Sequence, residues 1–258
     1  PMHALPRLSG STALFLDFDG TVVDIAAQPE LVHIPPQLPL LLQRLHTRLD
    51  GALAIVTGRT IAEIDHFLAP LHLPIAGEHG ARRRSAAGLL FAVNAPDLQP
   101  ITAAAQRLAD QHPGLRFERK EAAVALHYRH APTLEALCRD TLQAAVQQVP
   151  GVVLLQGKCV FEAKPAAVDK GRAIAAFMQE PPFATRTPIF VGDDVTDEAG
   201  FAAVVQLRGH GIKVGAGPTL ATHRCDTPAA LLTWLETALA QQPQGAGADT
   251  PASGRTTA

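Results

Sequence analysis

The chain is short of three things, and each scarcity closes off a class of function. Only three cysteines occur in its 258 residues. Cys138, Cys159 and Cys225 are far apart and odd in number, so they offer neither a disulfide framework nor paired thiolates for a metal, and all three read as reduced, buried small hydrophobes. Aromatic side chains are also few, with ten Phe, one Tyr and one Trp, which leaves little scope for holding bases or sugar rings by stacking. The formal net charge is only -2, so no basic excess exists to draw nucleic acid or an anionic membrane. No run of 18 or more apolar residues is present and Pro1 to Gly10 carries no signal-peptide pattern, which makes a cytoplasmic location the expectation. Hydrophobic residues, by contrast, make up 47% of the chain, enough for a sizeable core in one domain or in a domain with an insert. The tail from Gln241 to Ala258 has no large apolar residue, cannot offset its own ordering entropy, and is expected to be disordered.

Phe15-Leu16-Asp17-Phe18-Asp19-Gly20-Thr21 is the most informative stretch. An apolar run of the kind a buried parallel strand needs ends in two acids, and Gly20 permits a sharp turn just beyond. Carboxylates at the carboxyl edge of an open α/β sheet can serve as nucleophile, metal ligand or proton shuttle. A lone Asp there could simply cap a helix, but two acids wedged between strand and Gly-Thr point to a catalytic site. Three further segments end apolar runs in polar clusters: Val56-Thr57-Gly58-Arg59, the stretch Lys164 to Gly171 with Lys170, and Ile189-Phe190-Val191-Gly192-Asp193-Asp194-Val195-Thr196-Asp197-Glu198. Taken in order, the four segments resemble the motifs of the haloacid dehalogenase superfamily of phosphoryl-transfer enzymes.

Strands at 13–18, 52–57 and 74–76 alternate with helices near 37–49 and 60–69, as βαβ units do. From 81 to 163 the order changes to strand pairs (81–85 with 89–93, 115–120 with 122–129, 152–156 with 159–163) flanking helices at 97–112 and 132–148. Leu134, Leu137, Cys138, Leu142 and Ala145 form a stripe on the second of these helices that would cover one face of a small sheet. The alternation resumes with helix 169–179, strand 188–192, helix 195–205, strand 211–214 and helix 228–239. The expected architecture is thus a doubly wound Rossmann-like α/β core, residues 1–80 and 164–240, interrupted by an α/β cap domain at 81–163.

Phosphate-monoester hydrolysis needs positive charge on the phosphate and a proton for the leaving oxygen. Asp17 and Asp193, at two strand ends, suit Mg²⁺, a hard ion that takes few protein carboxylates and keeps waters. Lys170 and the Thr57 hydroxyl could join the metal in binding the transferring phosphoryl. Lys170 in the first turn of a helix opposes the helix dipole, a mild cost that favours a functional reading. Arg59 reads as a site residue or as the i, i+4 partner of Glu63. The superfamily resemblance implies that Asp17 is the nucleophile forming an aspartyl-phosphate. It further implies that Asp19 is the general acid and then base, and that the metal also takes the Asp19 backbone carbonyl. Asp194 and Asp197 read as outer partners of the metal or phosphate, or as helix caps.

In the insertion, period-two alternation puts Arg116, Glu118 and Lys120 on one strand face and sends His127 and Arg129 away from Val124, Leu126 and Tyr128. A sheet with one helix-covered face and one charged face suits a lid over a polar ligand. Glu118-x-Lys120, His127-Tyr128-Arg129, Phe161-Glu162-Ala163-Lys164-Pro165 and Gly77-Glu78-His79-Gly80 resemble the trehalose-6-phosphate phosphatases of that superfamily over roughly residues 12–240. The resemblance implies a C2B-type cap, Mg²⁺ dependence and release of trehalose and phosphate. It carries sugar contacts to Glu118, Lys120 and Glu162, with Arg129 as a further substrate contact and Glu78, His79 and Gly80 near the hinge. Thr57 stands where Ser is usual in the family, and Lys164 where Arg is frequent, which keeps the charge but loses the fork. The expected partner is the small-molecule substrate, with no nucleic acid or membrane; a monomer is compatible with the sequence, which leaves the oligomeric state open. Two other readings share these residues: another sugar phosphatase or phosphomutase with the same core, and a catalytically silent sugar-phosphate sensor.

Overall fold

Strand β1 (Thr12–Leu16) is buried along its whole length, as a parallel strand covered by helices on both faces must be. The computed structural model describes residues 4–241, so the expected tail lies outside the described residues apart from Gln241. After β1 come α1 (Leu38–Arg48), β2 (Leu53–Val56), α2 (Ile61–Leu68) and β3 (Ile75–Gly77). A hairpin of β4 (Arg82–Arg84) and β5 (Leu90–Ala92) follows, then α3 (Gln99–Gln111), β6 (Arg116–Arg119), β7 (Val124–His127), α4 (Glu135–Val146), β8 (Val152–Gly157) and β9 (Val160–Pro165). The chain returns through α5 (Lys170–Phe177), β10 (Thr187–Gly192), α6 (Glu198–Gln206), β11 (His210–Val214), β12 (His223–Cys225) and α7 (Pro228–Ala240).

The larger sheet runs β12-β11-β10-β1-β2-β3-β4-β5, parallel as far as β3. From β1 the chain winds outward one way through β2 and β3, and from β10 the other way through β11 and β12. The order therefore switches between β1 and β10, where open α/β sheets leave a crevice at the strands' carboxyl ends. Beneath it, Phe15 stacks on Phe183 at 5.3 Å between ring centroids and meets Phe177 at 5.9 Å, all fully buried. Burying one such ring contributes about 1.5–3 kcal/mol.

Segments 81–85 and 89–93 were expected in the insertion, and here the structure corrects the boundary. β4 pairs antiparallel with β3 and β5 with β4, so both extend the core sheet. Arginine partners fasten the hairpin there. Arg83 forks onto Glu180 at 2.7 and 2.9 Å between the rings of Phe91 and Phe177, and Arg84 forks onto Asp65 with both bonds at 2.7 Å.

The remaining insertion, α3 to β9, is a four-stranded antiparallel sheet in the order β6-β7-β9-β8. Helices α3 and α4 cover one face, packing Ile101, Ala105, Cys138 and Leu142 against Leu126 and Phe161. The buried stripe of α4 is Cys138, Leu142 and Val146 at i, i+4 and i+8, whereas Leu137 of the expected stripe is turned out to solvent. Cys138 and Cys225 are buried free thiols as expected, but Cys159 is only half-buried, at the turn between β8 and β9.

Candidate active site

Asp17 follows β1 directly, and its N–H continues the ladder to the Val191 carbonyl of β10 at 2.9 Å. This pairing fixes its side chain at the switch point. Lys170, first residue of α5, donates to Asp17 Oδ1 at 2.7 Å and to Asp197 Oδ1 at 2.6 Å, with all three side chains buried. Burial disfavours the lysine's charge, yet the two carboxylates outweigh it and hold the Lys170 pKa above its ordinary value. Thr21 donates its hydroxyl to Asp17 Oδ2 at 3.1 Å. Gly20 (φ +79°) makes the turn between them, and a Cβ there would lie 2.2 Å from Asp193 Oδ2, so only glycine fits.

Asp193 lies in the loop after β10. Asp197 shapes that loop by accepting the N–H groups of Asp193 and Asp194 on Oδ2, each at 2.8 Å, and the buried Lys213 ammonium holds the Asp193 carbonyl from below. Carboxylate oxygens of Asp17, Asp193 and Asp197 lie within 4.8 Å of one another. Burial and the Asp197 charge push the Asp17 carboxyl well above the usual carboxylate range despite Lys170, and burial raises Asp193 as well. Crowded oxygens that resist sharing their charge are the donor set a hard cation relieves, so the residues fit a divalent metal. Asp197 already accepts three strong donors, which leaves Asp17 and Asp193 as the carboxylates with capacity for an ion.

Asp19 points elsewhere. Its carboxylate takes a fork from Arg59, Nε to Oδ2 at 2.7 Å and Nη2 to Oδ1 at 2.8 Å, while Nη1 of the same arginine donates to Glu63 at 3.1 Å. The i, i+4 pair with Glu63 is therefore made, and the same guanidinium also binds Asp19. Thr57, at the end of β2, accepts the Arg59 N–H on Oγ1 at 3.1 Å and keeps its own hydroxyl proton to donate.

The cap's charged face closes the other side of a cleft of about 460 Å³ that Asp17, Asp19, Thr57, Lys170 and Asp193 line from the core. Register explains which residues share that face. Glu118 pairs with Ala125, which pairs with Glu162 across β9, and Arg116 pairs with His127. His127 Nε2 lies 2.8 Å from Glu118 Oε2, and Lys120 Nζ donates to Glu162 Oε1 and to the Gly58 carbonyl, both at 3.0 Å. His79 reaches the other Glu162 oxygen from the core at 3.3 Å. Burial opposes charge on Glu162, but Lys120 and His79 overcome it and hold its carboxyl far below the usual range. Arg129 also lines the cleft, its Nη2 3.5 Å from the Lys158 carbonyl.

Two expected substrate contacts do not reach the cleft. Glu78 is buried with its carboxylate on the Ala122 N–H at 2.8 Å, joining core to cap, and Gly80 packs against Ala173 and Asp169. A left-handed turn at Glu78 (φ 48°) and His79 (φ 58°) directs only His79 inward. Lys164 faces the carbonyls of Pro165 and Val168, away from the cleft, so its departure from Arg falls outside the site. Lys158 lies outside every sequence expectation: from the turn between β8 and β9 it spans to the Asp193 carboxylate, and its N–H lies 3.3 Å from Asp194 Oδ2.

The chain matches the family model described as trehalose-phosphatase across residues 15–228. It is 44% identical over 247 residues to the trehalose-6-phosphate phosphatase of Escherichia coli K12, an alignment covering 94% of this chain and 93% of that protein. It is 43% identical over 216 residues to a probable trehalose-phosphate phosphatase of Sinorhizobium fredii, covering 83% and 82%. Among solved structures, a trehalose-6-phosphate phosphatase related protein superposes with a TM-score of 0.68 at 30% identity, covering 89% of this chain and 97% of the other. The C-terminal domain of the Candida albicans trehalose-6-phosphate phosphatase superposes with 0.81 at 20% identity, covering 90% and 93%, and shows the shared fold.

Proposed function

This chain belongs to the trehalose-phosphatase family, and on that footing we propose that it hydrolyses trehalose 6-phosphate to trehalose and phosphate through an aspartyl-phosphate on Asp17, with Mg²⁺ as its metal. The observation that carries this reading is one cleft with two chemistries, a carboxylate-lysine cluster at the sheet's switch point facing a charged, polar sheet on the cap. A carboxylate oxygen of Asp17 attacks phosphorus as the ester P–O bond breaks, and Asp19 gives its proton to the departing sugar oxygen. Asp19 then takes a proton from the water that attacks the acyl phosphate, and cleavage of the bond to Asp17 frees phosphate. Lys170 and the Thr57 hydroxyl bind the transferring phosphoryl oxygens. Mg²⁺, held by Asp17, Asp193 and the Asp19 carbonyl, would supply further positive charge to those oxygens. Glu118, Lys120, Glu162 and Arg129, with His79 behind Glu162, hold the sugar hydroxyls.

Among the described residues no helix is long and apolar enough to cross a membrane, which is compatible with work in the cytoplasm on a soluble sugar phosphate. Phosphate release measured on trehalose 6-phosphate, sucrose 6-phosphate and glucose 6-phosphate, with Mg²⁺ and with a chelator, tests the assignment. Trehalose 6-phosphate should be preferred and the chelator should abolish turnover. Preference for another sugar would return the chain to a different phosphatase of the superfamily, and full activity in metal-free buffer would remove the metal from the reading.

A further inference from the structure

We propose that Arg59 is the positioning residue for the proton-transferring carboxyl of Asp19, an inference that rests on the acid-base role just given to Asp19. The guanidinium is fixed on every side. It is 8% exposed, donates to Glu63 Oε1 at 3.1 Å and to the Pro29 carbonyl at 2.8 Å, and lies 4.9 Å from the Phe67 ring centroid. Its remaining edge makes the fork to Asp19, whose side chain is 33% exposed and lines the cleft. Of the two partners the carboxylate is therefore the one that can move: the arginine defines where it starts, and to act as acid it frees one oxygen from the fork and takes up on it a proton from water in the cleft. A planar fork sets the plane of the carboxylate as well as its place, which a point charge such as lysine cannot do. Without it, Asp19 would rotate freely at the cleft mouth, and its arrival at the leaving oxygen would become a matter of chance.

A residue that acts through Asp19 must share its dependence on the leaving group. The sugar alkoxide needs a proton, whereas 4-nitrophenolate needs almost none. Arg59→Gln leaves the main-chain bond to Thr57 in place and is expected to lower the single-turnover rate of trehalose release from trehalose 6-phosphate about 10 to 100-fold, less than the roughly 10² to 10⁴-fold that general acid–base catalysis contributes, because the acid itself remains. KM for that substrate, and the single-turnover rate of 4-nitrophenolate release, which precedes the water step both substrates share, should change less than about threefold. Arg59→Lys should give a smaller loss of the same selectivity. In an Asp19→Asn background, Arg59→Gln should change kcat by less than about twofold, because the group it positions is gone. Equal losses in release of the two leaving groups, or losses that simply multiply with those of Asp19→Asn, would overturn the inference. Should Arg59→Gln fail to fold, Arg59→Lys carries the same comparison. Asp19→Asn alone separates the two claims. If it slows single-turnover release of both leaving groups equally, the acid role of Asp19 fails. If it is selective while the Arg59 variants are not, that role stands and only the positioning falls.

Discussion

The two walls of the cleft hold their charges in different ways. On the core wall the charged groups are rooted in backbone: Asp17 in the ladder between β1 and β10, and Asp193 in a loop whose amides Asp197 ties down. On the cap wall the charges pair side chain to side chain, Glu118 with His127 and Lys120 with Glu162. Two of its groups are completed only by core partners, Lys120 by the Gly58 carbonyl and Glu162 by His79. The chemical wall is thus held mainly by core backbone, with Lys158 its one charged partner from the cap among the described residues, while the selective wall is completed only where core and cap meet. On the proposed reading the core wall suffices for the phosphate, and the sugar is read only where the two walls meet.

The largest effect should come from the preorganised wall and ignore the substrate. Asp17→Asn removes the carboxylate proposed to attack and should abolish turnover of trehalose 6-phosphate and 4-nitrophenyl phosphate alike, with no phosphoenzyme trapped on acid quenching. Retention of the wild-type circular dichroism spectrum would tie the loss to chemistry. Substantial turnover of either substrate would mean that another group is the nucleophile.

On the cap wall the same pair of substrates should part company. Glu118→Ala, Lys120→Ala and Glu162→Ala each remove a charged group proposed to bond sugar hydroxyls, and such a bond is worth about 1.5–3 kcal/mol, or roughly 10 to 150-fold in kcat/KM. An aryl phosphate makes none of those bonds and should lose little. Lys120→Ala also cuts a cap-to-core bond, so part of its effect should fall on kcat through poorer closure. The ratio of kcat/KM for the two substrates decides the matter, and an unchanged ratio in all three variants would show that this face does not read the sugar.

The readability of these walls in the sequence follows from the range of the interactions that build them. Asp17, Thr57, Lys170 and Asp193 were legible because strand, sharp turn and polar cluster are adjacent in the chain, and the doubly wound order brings strand ends together. The face carrying Glu118 and Glu162 was legible because a strand's period of two is local. Partners chosen across space were not. Arg59 and Asp19 are 40 residues apart, and nothing near Arg59 distinguishes the fork to Asp19 from the helical pair with Glu63. The β4–β5 hairpin looked like part of the insertion because its allegiance is set by pairing with β3 and by Glu180, far downstream. Glu78 is an acid beside motif residues, and only its backbone turn reveals that it faces the Ala122 amide.

The smallest expected effect concerns Lys158, the one cap ammonium that pairs with a core carboxylate of the site among the described residues. Its side chain is 47% exposed, so the ion pair with Asp193 is worth about 0–1 kcal/mol after solvent screening. The ammonium and a divalent ion would compete for the same carboxylate. Lys158→Met should therefore tighten Mg²⁺ binding to the substrate-free protein by no more than about fivefold, the equivalent of that free energy, as read by titration calorimetry. It should also loosen the substrate-free cap, because one of the few bonds between the walls is lost, and this would appear as faster amide exchange in β8 and β9. Weaker Mg²⁺ binding in the variant would mean that the ammonium organises Asp193 for the ion rather than competing with it. The core wall would then depend on the cap after all, and the contrast between a preorganised and a conditional wall would break at that point.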